Sequence, residues 1–135
     1  MTFISAVGHD TDKSEIIRNS IKRVNIDTSG LYVKHGASTA AFSATLNGNG
    51  DFLSGIADMN VLTTIPHSHL DKFDFDKSDI LLIDSNISVD TLTYILSKAD
   101  SVTHVIYEPI SKEKSIRILH QDCLSRITIL KPNLI

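Results

Sequence analysis

The chain has 135 residues, of which 41% are hydrophobic and 21% charged, a composition typical of a globular protein rather than a disordered chain or a fibre. The net charge of −3 and the lack of an apolar run near the ~18 residues of a membrane helix argue against nucleic-acid and membrane partners. A lone cysteine, Cys123, and an N-terminus without a signal-peptide pattern favour a cytoplasmic location.

The beginning of the chain predicts a strand followed by a helix. Residues 3–7 form a short apolar run that Gly8 ends, and the residues 10–12 offer N-caps for a helix over 13–23. Three isoleucines fall on one face of this helix at helical spacing: Ile16, Ile17 and Ile21.

The next segment predicts a hairpin that projects from the sheet. Residues 31–34 are typical of a brief strand, and Asn47-Gly48-Asn49-Gly50 separates apolar segments at 39–46 and 52–57. Asn-Gly favours a tight turn because both residues tolerate positive φ. A hairpin inserted in an α/β domain often acts as a lid or an interface, so we expect a lid hairpin over about 31–57.

The second half predicts a parallel sheet with a βαβαβ order over about 79–133. Its hydrophobic runs have the β-branched character of strands buried on both faces, and they are near 80–84, 104–108 and 127–130. We expect the strand near 3–7 to belong to the same sheet. Ser88 and Ser111 are predicted caps of the intervening helices. The side chains expected to face inward from these helices are Leu92, Ile95, Leu96 and Ala99, then Ile116 and Leu119.

Polar residues follow the predicted strands at the point where each strand ends. In parallel α/β sheets, ligands bind outside the carboxyl ends of the strands. The residues expected to line this rim are Asp84, Asn86, Glu108, Lys131 and Asn133. The sequence therefore predicts a ligand-binding domain.

Several motifs occur in a characteristic order: Ser5 to Asp10, Ile26 to Gly30, the hairpin after Thr39 with its Gly50-Asp51 turn, and Lys131-Pro132-Asn133. This order resembles the ribokinase-like (PfkB) sugar and nucleoside kinases over essentially the whole chain. Three further segments look most like the pseudouridine kinase branch: 57–59, 84–86, and 108–111 with Lys114. The resemblance implies an α/β fold with a parallel sheet flanked by helices and an inserted lid, a nucleoside or sugar substrate, and ATP with Mg²⁺ as cofactors.

The resemblance also implies roles for five residues. Asn86 and Thr39 would contact substrate, and Asn133, Lys131 and Glu108 would lie near the phosphates and magnesium. Each has a plainer alternative: Asn86 as a turn or cap residue, Thr39 as an ordinary strand residue and Asn133 as a loop residue. Lys131 is equally well explained as a solvated side chain, and Glu108 as a cap of the next helix.

Two segments that characterise the family do not occur in the sequence. Family members carry Gly-Gly-x-x-Asn, which holds the sugar hydroxyls, and Gly-Ala-Gly-Asp, which supplies the anion hole and the catalytic base. We therefore expect residues 1–135 to be the central part of a kinase domain, an incomplete domain without catalytic residues that binds neither ATP nor Mg²⁺ alone.

Two functional classes remain open. The chain is either part of a pseudouridine-type kinase or a non-catalytic remnant that binds a ligand or associates with itself. A homodimer would form through the lid hairpin or an unpaired sheet edge.

Metal binding is not expected. His67 and His69 have neither a cysteine nor a third ligand near in sequence. The acidic residues of the following loop lack calcium-loop spacing and its closing Glu, so they are interpreted as solvating: Asp71, Asp74, Asp76 and Asp79.

Overall fold

A computed structural model describes residues 1–102, 104–119 and 123–132 of the chain. The chain divides into two compact units, Met1–Thr64 and Ile65–Ile135. Across the described ranges, no helix has both the length and the apolar character needed to cross a membrane.

The first unit begins with two parallel strands joined by a helix. Strand β1 (Ser5–Gly8) pairs with β2 (Leu31–Lys34), and helix α1 (Thr11–Arg23) connects them. The predicted strand, helix and brief strand are confirmed, and the helix begins two residues before the predicted residue 13. The prediction that the strand near 3–7 belongs to the sheet of 80–84, 104–108 and 127–130 is wrong for the described residues, because β1 and β2 form a two-stranded sheet of their own. Its predicted apolar face is only partly covered, because Ile16 is exposed and no residue of α1 is fully buried.

Gly8 ends β1 where the segment 37–39 passes very close to the strand. A Cβ on Gly8 would lie 2.3 Å from the carbonyl oxygen of Ala37 and 2.4 Å from the backbone nitrogen of Thr39. The Gly8 N–H instead donates to Thr39 Oγ1 at 3.0 Å. Glycine is required here because any side chain would displace backbone atoms.

The predicted hairpin is present as β3 (Ala41–Leu46) and β4 (Phe52–Asp58), paired antiparallel. Every residue of both strands is exposed. The turn lies at the predicted Asn47-Gly48-Asn49-Gly50 segment. It spans the residues 47–51, Asn47 Oδ1 accepts from the backbone N–H groups of Asn49 and Asp51, and positive φ occurs at Gly50 rather than Gly48.

The second unit contains a parallel three-stranded sheet. Strands β5 (Ile80–Asp84), β6 (His104–Glu108) and β7 (Ile129–Leu130) lie in the order β5-β6-β7, which confirms the predicted parallel arrangement. The unit contains helix α2 (His67–Leu70) before β5, helix α3 (Val89–Ser97) between β5 and β6, and helix α4 (Lys112–Ser115) after β6. A further one-turn helix, α5 (Cys123–Arg126), precedes β7.

Helix α3 follows the sequence pattern closely. Ser88 is its N-cap, and the Ser88 hydroxyl oxygen accepts from the backbone N–H of Thr91 at 3.0 Å. The four side chains predicted to face inward are all buried: Leu92, Ile95, Leu96 and Ala99. These residues form the core of the unit together with Val105 and Tyr107 of β6.

The prediction that the strands of this sheet are buried on both faces is wrong for the described residues. Ile83 and Val105 are buried, whereas Ile80 and Leu82 are 59% and 67% exposed. Because side chains alternate between the two faces of a strand, one face of the sheet packs on helices and the other is open. The apolar residues Ile129 and Leu130 of β7 are exposed as well.

A second correction concerns the segment after Ser111. Ser111 caps α4 as predicted, but the helix changes to a 3₁₀ turn at Ile116–Leu119. In a 3₁₀ turn, residues three apart eclipse each other. Ile116 and Leu119 therefore share one side, and that side is exposed, whereas Ile118 is the buried residue.

Candidate functional site

The carboxyl ends of β5 and β6 carry a cluster of polar side chains. Asp84 is the cross-strand partner of Glu108 in the parallel register, so the two strand ends lie side by side. We call the cluster the strand-end rim, and its members are Asp84, Asn86, Glu108, Lys114 and Lys131. The predicted grouping of Asn86, Glu108 and Lys131 at one edge of the sheet is therefore confirmed in position, while their roles in binding stay predictions.

Asn86 is held from both ends of its amide. Its backbone N–H donates to Asp84 Oδ1 at 2.8 Å, and its Nδ2 donates to Asp84 Oδ2 at 3.2 Å. Lys114 Nζ donates to Asn86 Oδ1 at 2.5 Å. Because a lysine ammonium only donates, this contact requires the amide oxygen, and not the nitrogen, to face Lys114.

The loop that carries Asn86 is also fixed through its backbone. Arg117 Nη1 donates to the carbonyl oxygens of Ser85 and Ile87, each at 2.6 Å. The Ser85 hydroxyl donates to the carbonyl oxygen of Pro109 at 2.5 Å. Sequence analysis assigned no role to Arg117, and a basic residue six positions after a predicted cap gives no signal for such long-range contacts.

Glu108 and Lys131 form an ion pair at the end of β6. The Lys131 ammonium donates to Glu108 Oε2, and the Lys131 backbone N–H donates to the carbonyl oxygen of Tyr107 at 3.0 Å. The hydrogen bond from Lys131 is the main cause that lowers the pKa of Glu108. Glu108 is not the cap of the next helix, since its Oε1 accepts from the Ile110 N–H and Ser111 caps α4.

A strained turn connects β6 to α4 beside this ion pair. Ile110 has φ 62°, and the Ser111 N–H donates to the carbonyl oxygen of Pro109 at 2.6 Å. A β-branched residue with positive φ is a genuine outlier, and such strain is found preferentially at functional sites. Sequence analysis could not detect it, because isoleucine disfavours this conformation.

Thr39 lies in the first unit and precedes the hairpin strands, so β3 begins later than the predicted residue 39. Thr39 is instead bound to Asp10, whose carboxylate accepts from the Thr39 N–H at 3.1 Å and from the Thr39 hydroxyl. The Thr39 oxygen also accepts from Gly8, and the residue is 1% exposed. Its hydroxyl is thus used in internal hydrogen bonds, and substrate contact by Thr39 stays a prediction.

The other candidate residues lie elsewhere. Asn133 falls outside the described residues. His67 stacks on Tyr94 and its Nε2 lies 2.9 Å from Asp90, while His69 is buried. Within the described part of the chain, no three His, Cys, Asp or Glu side chains come together as a set of metal ligands.

Comparisons with known proteins agree with the α/β fold. The pfkB family carbohydrate kinase pattern matches residues 1–134. The chain belongs to the pfkB carbohydrate kinase family. It is 29% identical over 137 aligned residues to the pseudouridine kinase of Escherichia coli K12, covering 96% of this chain and 41% of that protein.

Solved structures show that the chain has a ribokinase-like fold. The ribokinase of Giardia lamblia superposes with a TM-score of 0.74 and 18% identity, over 98% of this chain and 41% of that chain. An Escherichia coli protein assigned as a ribokinase II, solved with ATP and Mg²⁺, gives a TM-score of 0.75 and 17% identity over 97% of this chain and 45% of that chain. The chain thus spans less than half the length of these relatives.

Proposed function

We propose that this chain is the substrate-facing part of an ATP- and Mg²⁺-dependent kinase that phosphorylates a ribosyl nucleoside, with pseudouridine converted to pseudouridine 5′-phosphate in the cytoplasm. The observation that carries the proposal is the strand-end rim, in a chain that aligns over 96% of its length with a pseudouridine kinase. Parallel α/β sheets bind ligands at this edge, and the rim offers both donors and acceptors to a polyhydroxylated substrate.

Within this proposal, Asn86 contacts the nucleoside. Lys131, Glu108 and Asn133 belong to the neighbourhood of the phosphates and Mg²⁺, where the ammonium of Lys131 would attract anionic oxygens. This requires Lys131 to leave or share its contact with Glu108. Substrate contact by Thr39 would require its hydrogen bonds to Asp10 and Gly8 to open first.

We further propose that the purified chain alone does not transfer phosphate. Phosphoryl transfer depends on positioning and on charge stabilisation, and the resembling kinases supply both from a Gly-Ala-Gly-Asp segment that this sequence does not contain. ATP and Mg²⁺ would supply the phosphoryl group and its charge neutralisation in the longer proteins.

Phosphate transfer from ATP to pseudouridine, uridine and ribose tests the proposal directly. The chain alone should match a control without enzyme, and a longer protein that contains this chain should act on pseudouridine. In that longer protein, Asn86→Ala should raise KM for the nucleoside more than KM for ATP. If Asn86→Ala left the kinetics for the nucleoside and for ATP unchanged, Asn86 would be only a turn residue.

A second candidate function is a non-catalytic module that binds a ligand or associates with itself. Its supporting observation is the apolar and fully exposed hairpin, with Phe42, Phe52 and Ile56 all in contact with solvent. Light-scattering mass measurement over a concentration series distinguishes a monomer from a self-associated dimer. A dimer that Ile56→Lys converts to a monomer, while Asp51→Lys in the turn does not, would support association through the hairpin.

A further inference from the structure

The amide of Asn86 has a hydrogen-bonding inventory that is only partly used. An asparagine amide offers two N–H donors and two lone pairs on oxygen. One N–H donates to the Asp84 carboxylate, and one lone pair of the oxygen accepts from the Lys114 ammonium. One donor and one acceptor therefore remain on adjacent atoms of a half-buried side chain.

This remaining pair is complementary to a specific chemical group. A ring imide, in which an N–H lies beside a carbonyl, also presents one donor and one acceptor side by side. Uracil-type bases contain such an edge, whereas a free sugar contains only hydroxyl groups. An amide can pair with an imide through two parallel hydrogen bonds, as asparagine does with the edge of other bases.

We propose that Lys114 is a positioning residue that turns the Asn86 amide so that it reads the imide edge of a uracil-type base. The inference rests on the proposed nucleoside substrate and goes further, because it assigns base recognition to Asn86 and its orientation to Lys114. Two described contacts set which end of the amide holds the oxygen: the bond from Lys114 to Oδ1, and the bond from Nδ2 to the acceptor-only carboxylate of Asp84.

The charges on either side of the amide strengthen the arrangement. The Lys114 ammonium polarises the amide from the oxygen end, and the Asp84 carboxylate polarises it from the nitrogen end. Hydrogen bonds in such a chain reinforce one another. The two bonds that hold the amide therefore strengthen each other, and the opposite charges of Lys114 and Asp84 leave the group neutral.

Both supports of the amide are held in place by other contacts. Lys114 follows the Ser111 cap, whose hydroxyl oxygen accepts from the Lys114 backbone N–H at 3.3 Å. Arg117 fixes the loop on either side of Asn86 through two carbonyl oxygens. The lysine and the asparagine are thus presented by two segments that are themselves anchored by hydrogen bonds, as precise recognition requires.

A simpler role for Lys114 is a tether that joins two loops and has no effect on recognition. The two roles differ in what the substitution Lys114→Met changes. A tether affects stability and every ligand equally. A positioning residue changes the Asn86 amide itself and affects only ligands that carry an imide edge.

The test uses heteronuclear NMR of the isotope-labelled chain, in which the side-chain NH₂ signals of Asn86 are assigned by their loss in Asn86→Asp. The ligands are pseudouridine, uridine, N3-methyluridine and ribose. The variants are Lys114→Met, the conservative Lys114→Arg, and Lys112→Met as a matched control, because Lys112 lies on the same short helix and is exposed. Spectral dispersion reports whether each variant is folded.

Lys114→Met should shift the Asn86 NH₂ signals without any ligand and should weaken uridine and pseudouridine binding by roughly tenfold, the value of a hydrogen bond to a charged group. Ribose binding should be unchanged. Lys114→Arg should keep part of the affinity that Lys114→Met loses. Lys112→Met should change neither the Asn86 NH₂ signals nor the affinity for uridine and pseudouridine. N3-methyluridine, which has lost the imide N–H, should bind the unsubstituted chain more weakly than uridine.

Two results would overturn the inference: Asn86 signals that are the same in Lys114→Met and in the unsubstituted chain, or N3-methyluridine binding as tightly as uridine. Failure of the proposed function has a different signature. A longer protein that phosphorylates ribose but no nucleoside would remove the nucleoside substrate and base recognition together. The ligand-free NH₂ shift would still decide whether Lys114 orients Asn86.

Discussion

Asp10 and Thr39 are joined by hydrogen bonds across 29 positions of sequence, from both the backbone N–H and the hydroxyl of Thr39 to the Asp10 carboxylate. This contact connects the start of helix α1 to the segment that leads into the hairpin. The hydrogen bond from the Thr39 hydroxyl is the main cause that lowers the pKa of Asp10 below its ordinary value of 3.8.

The first prediction follows from this lowered pKa. A carboxylate whose pKa is lower in the folded state stabilises the protein fully above its unfolded value of 3.8, and that contribution is lost as pH falls through the folded pKa. Urea unfolding across roughly pH 2 to 5 should show this loss, and Asp10→Asn should reduce the pH dependence. Asp12→Asn on the same helix is the control, and an equal effect of both substitutions would contradict the prediction.

The second prediction concerns Gly8. Gly8→Ala should destabilise the chain by about 1–3 kcal/mol or more, because the added methyl would overlap backbone atoms that cannot move independently. Gly48→Ala is the matched control, since a Cβ there meets no atom within 4 Å. Chemical denaturation measures the free energy of unfolding of both variants. If Gly8→Ala were as stable as Gly48→Ala, the close approach of residues 37–39 would be wrong.

The third prediction concerns the strain at Ile110. Ile110→Gly removes the cost of a left-handed conformation, about 1–2 kcal/mol for a residue with a Cβ. We expect it to be neutral or stabilising, although glycine is otherwise unfavourable. Ile116→Gly, at an exposed position with φ −66°, should destabilise by about 0.5–1 kcal/mol. Thermal melts measure the stability of both variants. If Ile110→Gly were less stable than Ile116→Gly, the strained turn at Ile110 would be excluded.

The fourth prediction concerns the cap of helix α3. Ser88→Ala should destabilise the chain by about 1 kcal/mol, because the Thr91 N–H loses its acceptor. Ser97→Ala at the exposed end of the same helix should have a smaller effect. Equal losses of stability would mean that the Ser88 hydroxyl is dispensable.

Sequence patterns predicted the elements whose stability is local. Helix α3 agrees with its pattern because Ser88 and the inward residues near Leu92 act within a few turns of each other. The 3₁₀ turn at Ile116–Leu119 was missed because a local change from α-helix to 3₁₀-helix depends on the surrounding packing. The sequence also could not show that Leu82 is exposed, since an apolar run does not reveal what covers it.

The candidate site was predicted only at the level of the strand ends. The parallel arrangement places Asn86 and Glu108 at one edge, and the topology alone implies this. The partner of Asn86 could not be predicted, because Lys114 is 28 residues away and the contact depends on side-chain conformation. The same holds for the carboxylate of Asp10, which appeared to be a simple helix cap.

The complete exposure of the hairpin has a consequence for local unfolding. Strands β3 and β4 bury no side chain in this chain, so their free energy of opening comes from backbone pairing and the turn. An isolated two-stranded hairpin is only marginally stable in water. Its amide protons should therefore exchange with solvent long before those of β1 and β6, and the hairpin can open and re-form while the buried residues of each unit remain packed.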